Sequence, residues 1–247
     1  MEKFNIVVIG AGSGGLVVAA GATGLGARVA LAEKHRMGGD CLNTGCVPSK
    51  ALLAAAKTVQ HARDAHRLGL TLPDPGPQDW KAVQGWVRAS QAHIAPHDSV
   101  ERFTGLGVEV FQGAAKLKSA HEVEVNGQTL WGRHIVVATG SRAAVPPIPG
   151  LAEAGFLTNE TVFEIAERPA SLLVMGGGPI GTELGQAFAR LGTKVTIVSS
   201  TPHICAKEDP DVVEVLAGRL RSEGVRILDG STATRVTTRN GKKVVTV

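Results

Sequence analysis

The sequence predicts an α/β protein with two domains, each built around a parallel sheet. The main observation is a repeat: NIVVIGAGSGG (5–15) returns as SLLVMGGGPIG (171–181), and LGARVALAE (25–33) returns as LGTKVTIVS (191–199). The glycines of the two copies pair at a constant offset of 166: 10 with 176, 12 with 178 and 15 with 181. Each copy predicts a strand, a glycine-rich turn, an apolar helix and a second strand. This is a βαβ unit, so the two copies predict two Rossmann-like domains.

The glycine-rich turns also predict what the two domains bind. In a GxGxxG turn the first glycine permits the tight turn, the second lets a pyrophosphate approach the backbone, and the third lets the helix pack on the strand. The phosphates then lie on the free N–H groups at the start of the helix. A lone GxGxxG is often only structural. A duplicated pair, each between a strand and a helix, favours two dinucleotide-binding domains.

The second strands of the two copies end differently. Glu33 ends the first, 23 residues after Gly10, and suits a carboxylate that binds ribose hydroxyls. The second ends in Ser199 and Ser200, with His203 and Lys207 shortly after. Without a carboxylate to repel a 2′-phosphate, this end favours NADP over NAD. The alternative is that these residues form an ordinary solvated loop.

The segment between the copies predicts one helix and a group of strands. The helix lies within 81–103 and extends at least to Pro96. Strands are predicted within 107–117, 121–132 and 133–141, with Asn126-Gly127 as a hairpin turn. VPPIPG (145–150) is typical of a connection between domains. We therefore expect domains at 1–150 and 151–247.

The composition excludes several classes of protein. With 247 residues, of which 43% are hydrophobic and 19% charged, the chain can bury a sizeable core. The net charge is +4, but the basic residues are dispersed and tyrosine is absent, so we expect no nucleic-acid partner. The apolar stretch 6–31 is interrupted by glycines and predicts neither a membrane span nor a signal peptide. We expect a cytoplasmic protein, with thiols kept reduced.

GGDCLNTGCVPSK (38–50) holds two of the three cysteines. Cys46 lies at the predicted start of a helix over 47–66, where the helix dipole favours a thiolate, and Lys50 follows one turn later. Four intervening residues could let the two sulfurs meet in a redox-active ring. A structural zinc site needs four ligands and Cys205 is remote, so we expect no metal. Two unrelated buried thiols are the remaining alternative.

The same segment resembles the redox-active disulfide signature of the class I pyridine nucleotide-disulfide oxidoreductases. This family includes dihydrolipoamide dehydrogenase, glutathione reductase and mercuric reductase. VVATGS (136–141) and GGGPIGTE (176–183) resemble further family motifs and occur in the family's order. CLNTGCVPSK and APHDSVERF are most similar to the dihydrolipoamide dehydrogenase and mercuric reductase branches. The resemblance implies an FAD-dependent enzyme in which electrons pass from NAD(P)H through FAD to a disulfide, and on to a small disulfide, thiol, quinone or Hg(II) substrate.

The resemblance also implies roles for individual residues. Cys46 would face the flavin and form a charge-transfer thiolate, Cys41 would exchange with substrate, and Lys50 would lie near the flavin ring, paired with Glu183. Together these four form the expected catalytic set. The expected FAD-binding residues are Gly10, Gly12, Ser13, Gly14, Gly15, Glu33, Lys34, Gly39, Asp40, Gly45, Lys50, Gly113, Ala114, Ala138, Thr139, Gly140 and Ser141. The expected NAD(P)-binding residues are Gly176, Gly178, Ile180, Gly181, Glu183, Ser199 and Ser200.

Two features depart from the family pattern. Asp40 replaces the commoner threonine before the first cysteine, which changes the charge near the expected flavin site. The resemblance implies members of nearly twice this length, so we expect the chain to correspond to their N-terminal portion, without the C-terminal dimerisation domain, and a full-length form to be a homodimer. None of the eight histidines is assigned a catalytic role. Two alternatives remain: an NAD(P)H:acceptor flavoprotein without disulfide chemistry, and a catalytically silent nucleotide-binding fragment.

Overall fold

The structure, a computed structural model, describes residues 2–247. The chain forms two compact units. The first contains the described residues up to Pro48 together with Val87–Ala143, and the second contains Ser49–Trp86 together with Ala144–Val247. Residues 49–86 therefore cluster with the second unit. The assignment of 1–150 to FAD and 151–247 to NAD(P) stays a prediction, because it concerns what each part binds.

The first unit is organised by a six-stranded sheet in the order β3-β2-β1-β6-β5-β4. Its strands are β1 (Glu2–Ile9), β2 (Val29–Glu33), β3 (Glu109–Gln112), β4 (Ala115–Leu117), β5 (Glu122–Val125) and β6 (Gln128–Val137). β1 pairs in parallel with β2 and β6, whereas β5 pairs antiparallel with β6 and β4. The predicted parallel core is therefore confirmed, and the inserted strands extend it as an antiparallel meander.

Both faces of β1 are buried, which explains its unbroken apolar run. Val7 packs with Ala30 and Leu130 on one face. Val8 packs on the other face against helix α1 (Ser13–Gly24) and α5 (Val100–Gly105), with Leu16 and Phe103 as contacts. Helices α1 and α5 thus cover one face of the parallel part of the sheet.

The hairpin prediction is confirmed, but the strand limits differ from those expected. Asn126 and Gly127 have φ of 51° and 79°, as a tight turn between β5 and β6 requires. The predicted strand 107–117 is interrupted at Gly113, whose N–H donates to the carbonyl of Glu33 at 2.8 Å. Conversely, β6 runs through Gly132 without a break, since this glycine leaves room for the side chain of Val7.

The predicted helix within 81–103 is divided by Pro96, which lacks an N–H group. Helix α4 (Trp80–Ile94) ends before it, a 3₁₀ turn covers Ala95–Asp98, and α5 starts again after Ser99. The Ser99 side chain caps α5 by accepting from the N–H of Arg102 at 3.2 Å. Two short helices, α2 (Gly39–Asn43) and α6 (Leu151–Ala154), were not predicted.

The second unit contains a three-stranded parallel sheet in the order β7-β8-β9 and a two-stranded hairpin. Their strands are β7 (Ser171–Met175), β8 (Lys194–Val198), β9 (Arg226–Leu228), β10 (Arg235–Arg239) and β11 (Lys242–Thr246). The helices are α7 (Pro179–Arg190) and α8 (Pro210–Ser222). The repeat thus folds as predicted, as a βαβ unit in each half. No helix within residues 2–247 is long and apolar enough to cross a bilayer.

An ion-pair network ties α3 (Cys46–Asp64) to α7 and α8 within the second unit. Glu223, just after α8, accepts from Arg190 at 2.7 and 2.8 Å and also pairs with Arg219. Arg219 in turn donates to Asp64 at 2.5 Å. Burial acts to raise the pKa of Glu223, but its bonds to the two arginines outweigh this and lower it. The network therefore holds a nearly buried carboxylate in its charged form.

Candidate functional site

The first glycine-rich loop joins β1 to α1 in the geometry its sequence predicts. Gly10 has φ +105°, and a Cβ on Gly15 would lie 1.8 Å from the carbonyl oxygen of Gly10. Only glycine fits at 15, because the helix packs directly on the turn. No side chain caps the start of α1 at Gly12, and its first turn carries no acidic residue. Its first N–H groups are therefore left without a side-chain cap, and no acidic residue of the helix itself opposes a phosphate there.

The other residues expected to bind FAD follow the carboxyl ends of neighbouring strands. Glu33 at the end of β2 accepts from the N–H of Ala11 at 2.7 Å, so its carboxylate lies against the glycine loop. Gly113 is bonded to Glu33 after β3, and Ala138 donates to Ile9 at 2.8 Å after β6. The carboxyl ends of parallel strands lie along one edge of the sheet, and α/β proteins bind their ligands just outside this edge.

The remaining members of the predicted FAD set lie at the start of α1, in and around α2 and α3, and in the connections that follow β2, β3 and β6. Gly39 contacts Gly12 through the backbone, and the N–H of Gly38 donates to the carbonyl of Ala11 at 2.9 Å. The cysteine segment is thereby attached to the glycine loop. The members with exposed positions are Ser13, Gly14, Lys34, Asp40, Ala114, Thr139, Gly140 and Ser141.

The two cysteines of this segment lie on consecutive helices, Cys41 in α2 and Cys46 at the first residue of α3. Their side chains are hydrogen-bonded to each other, and the backbone N–H of Cys46 also donates to Cys41. Cys41 is half-buried and Cys46 exposed, and among residues 2–247 no cysteine forms a disulfide. The structure thus places the two thiols next to each other.

The two thiols differ in their surroundings. Burial raises the pKa of the Cys41 thiol to about 11, and the hydrogen bond and charge of Cys46 and the negative charge of Asp98 act in the same direction. The N–H donated by Cys46 opposes them and is outweighed. At neutral pH Cys41 is therefore protonated, and it needs a base to become a nucleophile.

Three residues that bear on the pair were missed from the sequence. Asp98 was considered only as part of a predicted helix and of the APHDSVERF segment, with no role of its own, yet its carboxylate lies near Gly38 and acts on Cys41. Gln91 of α4 donates to the carbonyls of Leu42 and Asn43. Asn43 donates to the carbonyls of Met37 and Gly39 at 3.1 and 2.8 Å. Asn43, inside the cysteine motif, and Asp98, inside APHDSVERF, carried a local signal, whereas Gln91 carried none.

Asp40, the departure from the family pattern, accepts a hydrogen bond from the side chain of Thr44 and is exposed. Its backbone carbonyl also accepts from the N–H of Thr44 at 2.8 Å. A Cβ on Gly45 would lie 2.9 Å from that carbonyl oxygen. Asp40 therefore helps to shape the turn between the two cysteines and adds a negative charge beside them.

The second glycine-rich loop, between β7 and α7, repeats the geometry of the first. Gly176 has φ +107°, and a Cβ on Gly181 would lie 2.3 Å from the carbonyl oxygen of Gly176. The start of α7 at Gly178 likewise has no side-chain cap and no acidic residue in its first turn. Ile180 next to it is 64% exposed. This loop therefore fits a second pyrophosphate.

The second strand of this copy ends in a neutral group. Ser199 is buried, and its Oγ is 2.7 Å from Oγ1 of Thr201, which donates to the carbonyl of His203 at 2.8 Å. Ser200 is exposed. The position that corresponds to Glu33 thus carries a hydroxyl in a short hydrogen-bond chain and no charge.

Lys50 and Glu183, both in the second unit, form an ion pair of 2.5 Å between Nζ and Oε1. Lys50 lies in the second turn of α3, and Glu183 lies in α7, two residues after Gly181. The lysine side chain is 62% exposed. The two residues meet as the resemblance implies, whereas their role beside a flavin stays a prediction.

Comparison with known proteins gives the context for this site. The chain matches the pyridine nucleotide-disulphide oxidoreductase family over residues 4–247. It is 35% identical over 235 residues to a dihydrolipoyl dehydrogenase of Acholeplasma laidlawii, covering 92% of this chain and 68% of that one. It is 32% identical over 247 residues to a mercuric reductase of Bacillus cereus, covering 94% of this chain and 37% of that one.

Solved structures of similar fold include the HOCl-induced flavoprotein disulfide reductase RclA of Escherichia coli, with a TM-score of 0.81 and 27% identity over 98% of this chain. Its Cu(II) complex gives a TM-score of 0.83 and 28% identity over 98% of this chain. The chain spans 52% of RclA and 50% of a further dihydrolipoyl dehydrogenase, from Thermus scotoductus. It therefore covers about half the length of most of these relatives.

Proposed function

Because the chain belongs to the pyridine nucleotide-disulphide oxidoreductases, a family of enzymes that use FAD and NAD(P)H, we propose that it forms the cofactor-binding and redox-active portion of a flavin-dependent disulfide reductase. The observation that carries this proposal is the adjacent pair of thiols, Cys41 and Cys46, in a segment attached to the first glycine loop. The alternative of two unrelated buried thiols does not fit, because Cys46 is exposed and Cys41 only half-buried.

FAD is assigned to the first glycine loop. The uncapped start of α1 would bind its pyrophosphate, and Glu33 would bind ribose hydroxyls with the lone pairs left by its two backbone partners, Ala11 and His35. The flavin would accept a hydride equivalent from NAD(P)H and deliver two electrons to the Cys41–Cys46 disulfide. Cys46, exposed at the start of α3, is the sulfur assigned to the flavin side.

Cys41 is assigned to exchange with substrate. Because its pKa is raised to about 11, it reacts only when a base removes its proton. The substrate classes we propose are small disulfides or thiols and Hg(II), following the names of the relatives, with quinones as a further class. We further propose a homodimeric full-length form and a cytoplasmic location.

NAD(P)H is assigned to the second glycine loop, with Gly176, Gly178, Ile180 and Gly181 around its pyrophosphate. The neutral Ser199 in place of a carboxylate supports NADPH over NADH, because no negative charge opposes a 2′-phosphate there. We expect kcat/KM to be higher with NADPH, and to fall with rising salt more steeply than with NADH.

The test is a visible absorption spectrum of the purified chain with added FAD, before and after anaerobic NADPH. The expected result is a flavin spectrum that bleaches and gains a long-wavelength band from contact between the flavin and the Cys46 thiolate. Cys46→Ser should remove this band and Cys41→Ser should retain it.

The remaining outcomes decide against the proposal. Bleaching without the band, unchanged in both serine variants, would indicate a flavoprotein whose cysteines do no redox work. A chain that binds dinucleotide but shows no NAD(P)H-driven flavin reduction would indicate a silent nucleotide-binding fragment.

A further inference from the structure

Gln91 connects α4 to the peptide segment between the two cysteines. Its Nε2 donates to the carbonyl of Leu42 at 3.1 Å and to the carbonyl of Asn43 at 2.9 Å. Gln91, Leu42 and Asn43 all belong to the first compact unit. Leu42 and Asn43 are the last two residues of α2, so these carbonyls are among those that lack a partner within the helix. One amide side chain thus satisfies two carbonyls of the redox segment.

The segment needs such support, because α2 has only five residues and an isolated helix of that length does not persist in water. Asn43 secures its beginning through the carbonyls of Met37 and Gly39. Gln91 secures its end. The residues between these two attachments include Cys41, and Cys46 follows three residues after Asn43.

We propose that Gln91 is a positioning residue that holds the segment between Cys41 and Cys46, so that the two sulfurs stay within bonding reach. The inference rests on the proposed redox role of the pair. A fixed segment raises the effective concentration of one thiol beside the other, which favours the intramolecular disulfide. Gln91 acts on the distance between the sulfurs and contacts neither of them through a described hydrogen bond.

The quantity to measure is the disulfide equilibrium against glutathione. In this reaction the two cysteine thiols lose two electrons and two protons and form one S–S bond, and one oxidised glutathione is reduced to two molecules of thiol. Gln91→Met keeps the length of the side chain but removes both donors. We expect the equilibrium constant for the disulfide to fall about tenfold, which corresponds to about 30 mV for a two-electron couple.

Purified chain with added FAD is equilibrated in glutathione buffers of defined ratio, alkylated, and analysed by mass spectrometry. Gln91→Glu is the second variant, because it places acceptors against two carbonyls and should lower the constant at least as much. Gln128→Leu is the matched control: its amide donates to Glu2 at 3.0 Å on the surface of the same unit, and the constant should stay within twofold of the wild type. Circular dichroism verifies that each variant is folded.

A background that keeps only Cys41 of the pair separates positioning from general destabilisation. In Cys46→Ser, the mixed disulfide of Cys41 with glutathione does not depend on the distance between two sulfurs, so Gln91→Met should leave its equilibrium unchanged. A change of less than twofold in the two-cysteine protein, or an equal change in both backgrounds, would overturn the inference. A folded wild type that forms no Cys41–Cys46 disulfide in any buffer would instead overturn the proposed function.

Discussion

Replacing Glu223 by glutamine tests whether the ion-pair network stabilises the second unit. The Glu223 side chain is 2% exposed and that of Arg190 is 14% exposed, so the change removes a buried charge and leaves its partner. Truncating one member of a buried pair costs about 3–5 kcal/mol. We expect about 3 kcal/mol of lost unfolding free energy, near the lower limit, because Arg219 is 33% exposed and retains Asp64 as a partner.

The assay is urea unfolding followed by tryptophan fluorescence in a Trp131→Phe background, since Trp80 and Trp86 then report on the second unit alone. The control is Glu214→Gln in α8, where the carboxylate is 74% exposed and 3.3 Å from Arg221. Exposed pairs contribute less than about 1 kcal/mol. If Glu223→Gln and Glu214→Gln lower the unfolding free energy equally, the ion-pair network does not stabilise the second unit.

The pH dependence of the unfolding free energy independently tests whether the charged form of Glu223 is the stabilising one. The pKa of Glu223 is lowered in the folded state, so its contribution is complete above the unfolded value of about 4.3 and is lost as pH falls through the folded value. The hydrogen bond to Arg219 also lowers the pKa of Asp64, so the contribution of Asp64 to stability is lost at low pH in the same way. The gap between wild type and Glu223→Gln should therefore be constant from pH 5 to 7 and shrink below about pH 4. A gap that persists unchanged at pH 3 would refute this reasoning.

Three further predictions concern the sites. Asp98→Asn removes the smallest of the contributions that raise the pKa of Cys41, so iodoacetamide should label Cys41 modestly faster at pH 8; an unchanged or slower rate would contradict the assignment. Gly15→Ala places a Cβ 1.8 Å from a backbone carbonyl oxygen and should abolish FAD retention, whereas a Cβ in Gly14→Ala has no atom within 4 Å and should leave the fold intact; equal FAD content in both would contradict the packing argument. Glu183→Gln breaks an exposed ion pair and should change the unfolding free energy by less than about 1 kcal/mol while altering flavin reduction; a larger stability loss would indicate a structural role.

The parts of the fold that the sequence predicts are those with a local physical cause. A glycine with positive φ, followed five residues later by a glycine against its carbonyl, leaves few alternatives to a strand–turn–helix. Both copies therefore fold alike, with φ of +105° at Gly10 and +107° at Gly176. Pro96 and the Asn126-Gly127 turn are similarly local signals, and the structure confirms their effects.

The membership of residues 49–86 in the second unit has no such signal. It depends on contacts such as the Trp80 ring against Phe188, with centroids 5.5 Å apart, and the indole N–H of Trp80 on the carbonyl of Ile165. An amphipathic helix shows which face is buried but not which surface covers it. Arg63, which donates to the carbonyl of Arg190 at 2.8 Å, is equally unremarkable in sequence.

The residues of the candidate site also fall into those with a local sequence signal and those without one. Motif residues such as Cys41 and Cys46 are recognisable because their chemistry requires a fixed spacing. Gln91 is not, because it acts across about 50 residues of chain through a contact that any polar side chain on a helix could make. Asp98 lies in the APHDSVERF segment, but its effect on Cys41 is visible only in the structure. Sequence therefore identifies the reacting groups, and only the structure identifies what positions them and what sets their charge.

The two glycine-rich loops show how one backbone conformation can carry a charged group in one copy and a neutral group in the other. In the first copy the N–H of Ala11 binds the Glu33 carboxylate. The corresponding residue in the second copy is Gly177, where a Cβ would lie 2.8 Å from both Oγ of Ser199 and a methyl of Ile204. The neutral end of β8 therefore packs against the segment that contains Ile204 and Cys205. This segment is held in place by the N–H of Cys205, which donates to the Gly177 carbonyl at 2.7 Å. Introducing glutamate at 199 alone would not recreate the first loop, because Ile204 occupies the space beside it; the difference in charge between the two loops is fixed by packing.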